Sequence, residues 1–168
     1  IEAALIAGRV APGKRRRFAF MEWQAYDHGL WRALVAESAE KERPPAFPLA
    51  GSDRDEGAVR IAGENAARAG VADWVRFEHR AVSAVEPPPT PGWVLTNPPY
   101  GLRVSEGKDL RNLYAQFGNV LRARFAGWKL VFVCSDRALA GQVGLPLEQT
   151  LRFTNGGIPV ALYTGRVD

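Results

Sequence analysis

The chain has 168 residues, 46% of them hydrophobic and 24% charged, which is the make-up of one ordinary globular domain able to bury a core. Its net charge of +4 would suit a polyanionic partner but is too small to identify one. Cys134 is the sole cysteine, so an internal disulfide is excluded, and its setting in Val131-Phe132-Val133-Cys134 reads as a buried small hydrophobe. No apolar run reaches the length of a membrane span and the first residues lack a signal-peptide pattern, so no membrane partner is expected and the expected location is the cytoplasm.

In chain order, Ile1 to Ala7 reads as the tail of a helix and Tyr26 to Lys41 as a helix with Leu30, Leu34 and Val35 on one face. Phe47 to Ser52 reads as a short strand. Asp53 to Ala69 reads as a helix closed by Gly70 in the left-handed conformation, with Val59, Ala62, Ala66 and Ala69 at helical spacing. Trp74 to His79 and Trp93 to Thr96 are the next strands, Lys108 to Phe125 an amphipathic helix, and Lys129 to Cys134 a buried strand. Leu147 to Thr154 and Ile158 to Arg166 flank Asn155-Gly156-Gly157, a turn suited to a hairpin. This alternation implies an α/β, Rossmann-like, mostly parallel sheet ending in an antiparallel hairpin.

The chemistry concentrates in Asn97-Pro98-Pro99-Tyr100, directly after the apolar strand. The lone pair of an aromatic exocyclic amine is delocalised into its ring, so the nitrogen must be drawn toward tetrahedral geometry before it attacks a methyl sulfonium. The Asn97 side-chain oxygen and the Pro98 main-chain oxygen are two acceptors for its N–H groups. The prolines stiffen the loop, and Tyr100 supplies a ring on which a base can stack. A strong general base is unnecessary, because the alkylated nitrogen sheds its proton readily. The bland alternative is a simple turn closing a strand.

Around this motif stand Ile1-Glu2-Ala3-Ala4, Phe18 to Trp23, Gly51-Ser52-Asp53-Arg54-Asp55, Asn65-Ala66 with Ala69-Gly70-Val71, Gly101 with Arg103, Gly127-Trp128 and Asn155-Gly156. Together they resemble the catalytic domain of the THUMP-associated RNA guanine-N2 methyltransferases, once described as N6-adenine DNA methylases, whose bacterial members modify 23S ribosomal RNA. The resemblance implies a class I methyltransferase fold and S-adenosylmethionine as cofactor. It implies Asp53 as the ribose ligand, and Asn97, Pro98, Pro99 and Tyr100 as the catalytic loop. Tyr100 and Arg103 become candidate contacts to the substrate nucleotide. Structured RNA is the implied partner, 23S ribosomal RNA first and transfer RNA next, presented with the help of an RNA-binding domain upstream in the parent chain.

The resemblance also implies that the family's first strand and its glycine-rich loop precede Ile1, so the chain is expected to be a partial methyltransferase domain, 1–168, with a vacant central position in its sheet. An isolated fragment would then be inactive. Relatives usually carry Asp where Ala81 stands, which puts the usual recognition of the cofactor's adenine in doubt. Rival readings are DNA adenine-N6 methylation, methylation of a protein glutamine amide, and a catalytically dead remnant.

Other candidates have plain alternatives. Ser52 or Asp53 could merely cap the following helix, and Asp55 reads as a first-turn residue facing the helix dipole. His28 and His79 lack ligand spacing, so no metal site is expected. Lys14-Arg15-Arg16-Arg17, beside Phe18 and Phe20, could contact phosphates or be a solvated loop. Trp23, Trp31, Trp93 and Trp128 read as packing residues.

Overall fold

Strands β1 (Ala50–Asp53) and β2 (Arg76–His79) pair in parallel, with Ala50 opposite Arg76 and Asp53 opposite His79. The computed structural model describes residues 1–14, 16–100 and 109–168. They form two compact units, 1–79 and 80–168.

In the first unit, α1 (Glu2–Ala7) and α3 (Glu56–Ala69) supply Ala4 and Ala66 to a small interior completed by Val71, with Leu49, Trp74 and Phe77 packed against it. Gly8 follows α1 because the Trp74 ring occupies the space a Cβ would need, 2.2 Å away. Helix α3 begins later than the sequence suggests: Asp55 is its N-cap and accepts from the N–H groups of Gly57 and Ala58 at 2.8 and 3.3 Å. Neither Ser52 nor Asp53 is the cap. Asp53 instead closes β1, because its parallel pairing with His79 carries the strand one residue past Ser52. Gly70 ends α3 at φ 76°, as expected of a left-handed cap.

The strand expected from Phe47 also starts later, at Ala50. Phe47 is exposed in a segment crowded by Pro44, Pro45 and Pro48, which supply no N–H for a ladder. Trp74 lies in a short 3-10 turn (Ala72–Trp74) rather than in β2. Helix α2 (His28–Glu40) is capped by Asp27, which accepts from Gly29 and Leu30 N–H at 2.7 and 2.9 Å. Its expected apolar face is real in spacing but not in burial, since Leu30 and Leu34 are exposed. Phe18, Phe20, Tyr26 and Trp31 form an aromatic cluster beside α2, with Phe18 and Phe20 stacked at 5.4 Å.

The second unit holds a four-stranded sheet in the order β3-β4-β6-β5. Strands β3 (Trp93–Thr96) and β4 (Lys129–Cys134) are parallel, with Thr96 opposite Phe132. Strand β6 (Ile158–Arg166) runs antiparallel to β4 and to β5 (Leu147–Asn155). Gly156 and Gly157 turn the hairpin at φ 57° and 84°, values that β-carbons disfavour. The Ala50 and Leu95 strands thus belong to different hydrogen-bonded sheets.

Helix α4 (Arg111–Arg124) packs Tyr114, Gly118 and Leu121 into the interior, joining Leu130, Phe132, Cys134, Val143 and Tyr163. It starts at Arg111, after Asp109 and Leu110; the expected start at Lys108 lies outside the described residues. A further helix, α5 (Arg137–Gly141), follows β4 and was not apparent in the sequence, being too short to show periodicity. Asp136 caps it by accepting from Ala138 and Leu139 N–H at 2.7 and 3.2 Å. Trp128 is buried as expected, but Trp93 is exposed on the sheet, where the Lys129 ammonium sits 4.8 Å from its ring centre. Trp23 is 69% exposed, so neither it nor Trp93 is a packing residue within these units. Among the described residues no helix is long and apolar enough to cross a membrane.

Candidate active site

Asn97 is the first residue after β3, so the Asn-Pro-Pro-Tyr loop leaves the sheet at the carboxyl end of a parallel strand, the end at which open α/β sheets place ligands. Asn97 is exposed, Pro98 and Pro99 are partly buried, and Tyr100 is only 8% exposed and part of the core. The loop therefore has a free head and an anchored tail. Tyr100, expected to offer its ring to a base, has most of that ring engaged by protein.

Two side chains from distant elements hold the loop. The Asn155 Nδ2 group, at the end of β5, donates to the Tyr100 hydroxyl oxygen at 2.8 Å. The Tyr114 hydroxyl, on α4, lies 3.3 Å from the Pro99 carbonyl oxygen and 3.4 Å from Cys134 Sγ, and its single proton serves one or the other. Burial pushes the Tyr114 phenol far above its ordinary value, with the Cys134 contact adding to the effect, so it stays a donor throughout the physiological range. The Cys134 thiol in turn donates to the Asp136 carbonyl at 3.3 Å. The thiol is thus a spacer between β4 and α4, as its buried setting suggested, and not a nucleophile.

The sequence did not reveal Tyr114 or Asn155 as parts of the site. The usable signal was the placement of an Asn ahead of Gly156-Gly157, which reads as turn chemistry, and of a Tyr on the buried stripe of α4, which reads as core.

Asp53 lies in the first unit, exposed at the carboxyl end of β1. Its Oδ1 accepts from the Asp55 N–H at 2.9 Å, which fixes the carboxylate's direction and leaves its second oxygen for another donor. Because the capping is done by Asp55, Asp53 takes no part in capping α3. Ala81, exposed, precedes a short 3-10 turn (Val82–Ala84) and offers no polar side chain. His79 Nε2 contacts the Arg54 carbonyl at 2.9 Å, a structural role. Of the basic run, Lys14 pairs with Glu42 at 2.6 Å, Arg17 with Glu22, and Arg16 stacks over Phe18. Arg15, Gly101 and Arg103 lie outside the described residues.

A motif and two anchors specify a loop, and the comparisons specify the lineage. Residues 1–158 match the model of the RMKL-like methyltransferase domain. The chain belongs to that family. It is 36% identical over 171 residues to the ribosomal RNA large subunit methyltransferase K/L of Shewanella sp. strain W3-18-1, an alignment covering 98% of this chain and 24% of that protein. Among solved structures it resembles SMU.472, described as a methyltransferase complexed with SAH, with a TM-score of 0.91 and 28% identity over 99% of this chain and 44% of that one. It likewise resembles a possible methylase from Clostridium difficile 630, with a TM-score of 0.89 and 26% identity, at the same coverages. The fold is the Rossmann-like α/β fold of methyltransferases. The chain spans about a quarter of the length of the curated relative it matches and less than half of the two solved chains.

Proposed function

We propose that this domain serves S-adenosylmethionine-dependent methylation of the exocyclic N2 amine of guanine in structured RNA, 23S ribosomal RNA first and transfer RNA second. The observation that carries the reading is the exposed Asn97 at the head of a loop whose tail is fixed by Tyr114 and Asn155. Planar amines need acceptors that do not reorganise as the nitrogen pyramidalises. A side-chain oxygen and the Pro98 carbonyl on a doubly tied Pro-Pro segment meet that need, because neither φ angle can relax.

Asp53, with one oxygen oriented and one available, suits a ribose diol, and this carboxylate would hold the cofactor. When bound, S-adenosylmethionine supplies the electrophilic methyl group. Asn97 and Pro98 hold the amine, Pro99 carries the tie to α4, and Tyr100 anchors the loop while the open part of its ring meets the extruded base. Arg103, two residues beyond Gly101 in the sequence, is the proposed contact to the flanking phosphate or base. The parent protein presents the RNA through an upstream RNA-binding domain, in keeping with relatives much longer than this chain. The ribosomal RNA activity in the name of the Shewanella relative supports RNA over DNA.

The test is transfer of a labelled methyl group by the full-length protein to ribosomal RNA, transfer RNA, duplex DNA and protein. The expected product is N2-methylguanosine recovered from digested ribosomal RNA. Label confined to DNA adenine or to protein glutamine would overturn the assignment.

A further inference from the structure

We propose that an open cavity on the second unit binds the phosphate backbone of the RNA strand flanking the modified nucleotide. The cavity has a volume of about 420 Å³ and is lined by Arg137, Gln149, Thr150, Arg152 and Tyr163 among others, with no carboxylate in its wall among the described residues. The inference rests on the reading of an RNA substrate given above.

Its position follows from the sheet register. Gln149 pairs with Tyr163, Tyr163 with Phe132, and Phe132 with Thr96, the residue before Asn97. The cavity is therefore level with the start of the catalytic loop, three strand spacings away, or ~14 Å. That is about four stacked nucleotides at ~3.4 Å each. It also shares a sheet face with the loop's anchor: Arg152 opposes Ala161, Ala161 opposes Cys134, and Cys134 touches the Tyr114 hydroxyl.

The lining chemistry selects an anion. Arg137 and Arg152 are both exposed, and neither forms an ion pair with a carboxylate among the described residues. Gln149, with its amide turned to present oxygen, accepts from Arg152 and orients that guanidinium while leaving N–H groups free. The charges of both arginines reach the Tyr163 phenol, which burial nonetheless keeps protonated as a donor. Asp136, beside Arg137 in the chain, accepts from the Ala138 and Leu139 N–H groups as the cap of α5. Two guanidiniums with the Tyr163 hydroxyl suit phosphate oxygens, while the Thr150 hydroxyl donates to the Leu162 carbonyl at 3.4 Å. The cavity is open and lies on an edge strand, so it fits a passing polyanionic strand better than an enclosed small molecule.

The experiment uses the full-length protein carrying Arg137→Gln and Arg152→Gln together, with ribosomal RNA as the probe. Binding and single-turnover methylation are measured across a salt series, with S-adenosylmethionine affinity measured in parallel. The expected result is an RNA KM raised about tenfold, kcat at saturating RNA unchanged, and cofactor affinity unchanged. The slope of log affinity against log salt should flatten by about 1.4, from two phosphates at ~0.7 each. The Arg137→Lys, Arg152→Lys pair should restore the slope. Unaltered RNA KM and salt slope in the Gln pair would overturn the proposal. So would a loss of cofactor affinity that the Lys pair does not repair, which would assign the arginines to folding. A wild-type protein that methylates DNA and not RNA would instead overturn the proposed function, a result visible before any variant is made.

Discussion

Among the described residues, three buried hydrophobic residues form the interior of unit 1–79, whereas fourteen form that of unit 80–168. Both units are built from parallel strands and capped helices, and they differ in what surrounds the strands. The first has a single parallel ladder of four residues per strand, and α2 contributes no buried side chain. The second packs α4 against a four-stranded sheet through Tyr114, Phe117 and Leu121. A two-stranded ladder is marginal alone, and a three-sided core is not. The Asn97–Tyr100 loop, proposed to hold the amine, belongs to the well-packed unit. Asp53, the proposed ribose ligand, belongs to the thinner one.

That contrast can be broken by substitution at glycine. In α4, a Cβ at Gly118 would lie 1.8 Å from the Val143 carbonyl oxygen, a backbone atom that cannot swing aside. Gly118→Ala should therefore destabilise the protein by about 3 kcal/mol or more in chemical denaturation, and methylation should fall with it. A loss below about 1 kcal/mol would mean that the second unit is not tightly packed.

A smaller effect is expected from Tyr114→Phe, which removes one hydrogen bond from the loop's tail and should cost about 1 kcal/mol. The sign with pH is fixed by the raised phenol. Its contribution is complete below the ordinary pKa of 10.0 and is lost as pH rises above that value, where the unfolded chain gives up a proton the folded one keeps. Thermal melts from pH 8 to 11 should show wild type losing stability above pH 10 more steeply than the Phe variant. Parallel curves would place the Tyr114 hydroxyl in contact with water.

The smallest effect belongs to the first unit. Gly63, inside α3, has open space where a Cβ would stand. Gly63→Ala should raise stability by ~0.5–1 kcal/mol through helix propensity alone. Destabilisation there would reveal packing against α3 that the contrast denies.

What could be read in advance follows the same physics. Strands β3 and β4 are marked in the sequence by short apolar runs and the hairpin by Gly156-Gly157, signals that are local. The loop proposed as catalytic stands out in the sequence because its four candidate residues are adjacent, and the structure places it directly after β3. Its anchors do not stand out, because Tyr114 and Asn155 meet Pro99 and Tyr100 across 15 and 55 positions, contacts that only the packed sheet creates. The start of α3 was misplaced because three acidic or hydroxyl residues, Ser52, Asp53 and Asp55, compete for one cap, and the register of β1 decides among them. Leu30 and Leu34 carry helical spacing, which specifies a helix without specifying what covers it.

The claim that Asn97 holds the amine and not the methyl donor is tested most directly by Asn97→Ala in the full-length protein. S-adenosylmethionine affinity by calorimetry and single-turnover methylation of ribosomal RNA are measured on the same preparation. Loss of one preorganised acceptor should lower the methylation rate on the order of 100-fold or more, with cofactor affinity within about twofold of wild type. RNA methylation at the wild-type rate by the Ala variant would contradict the account.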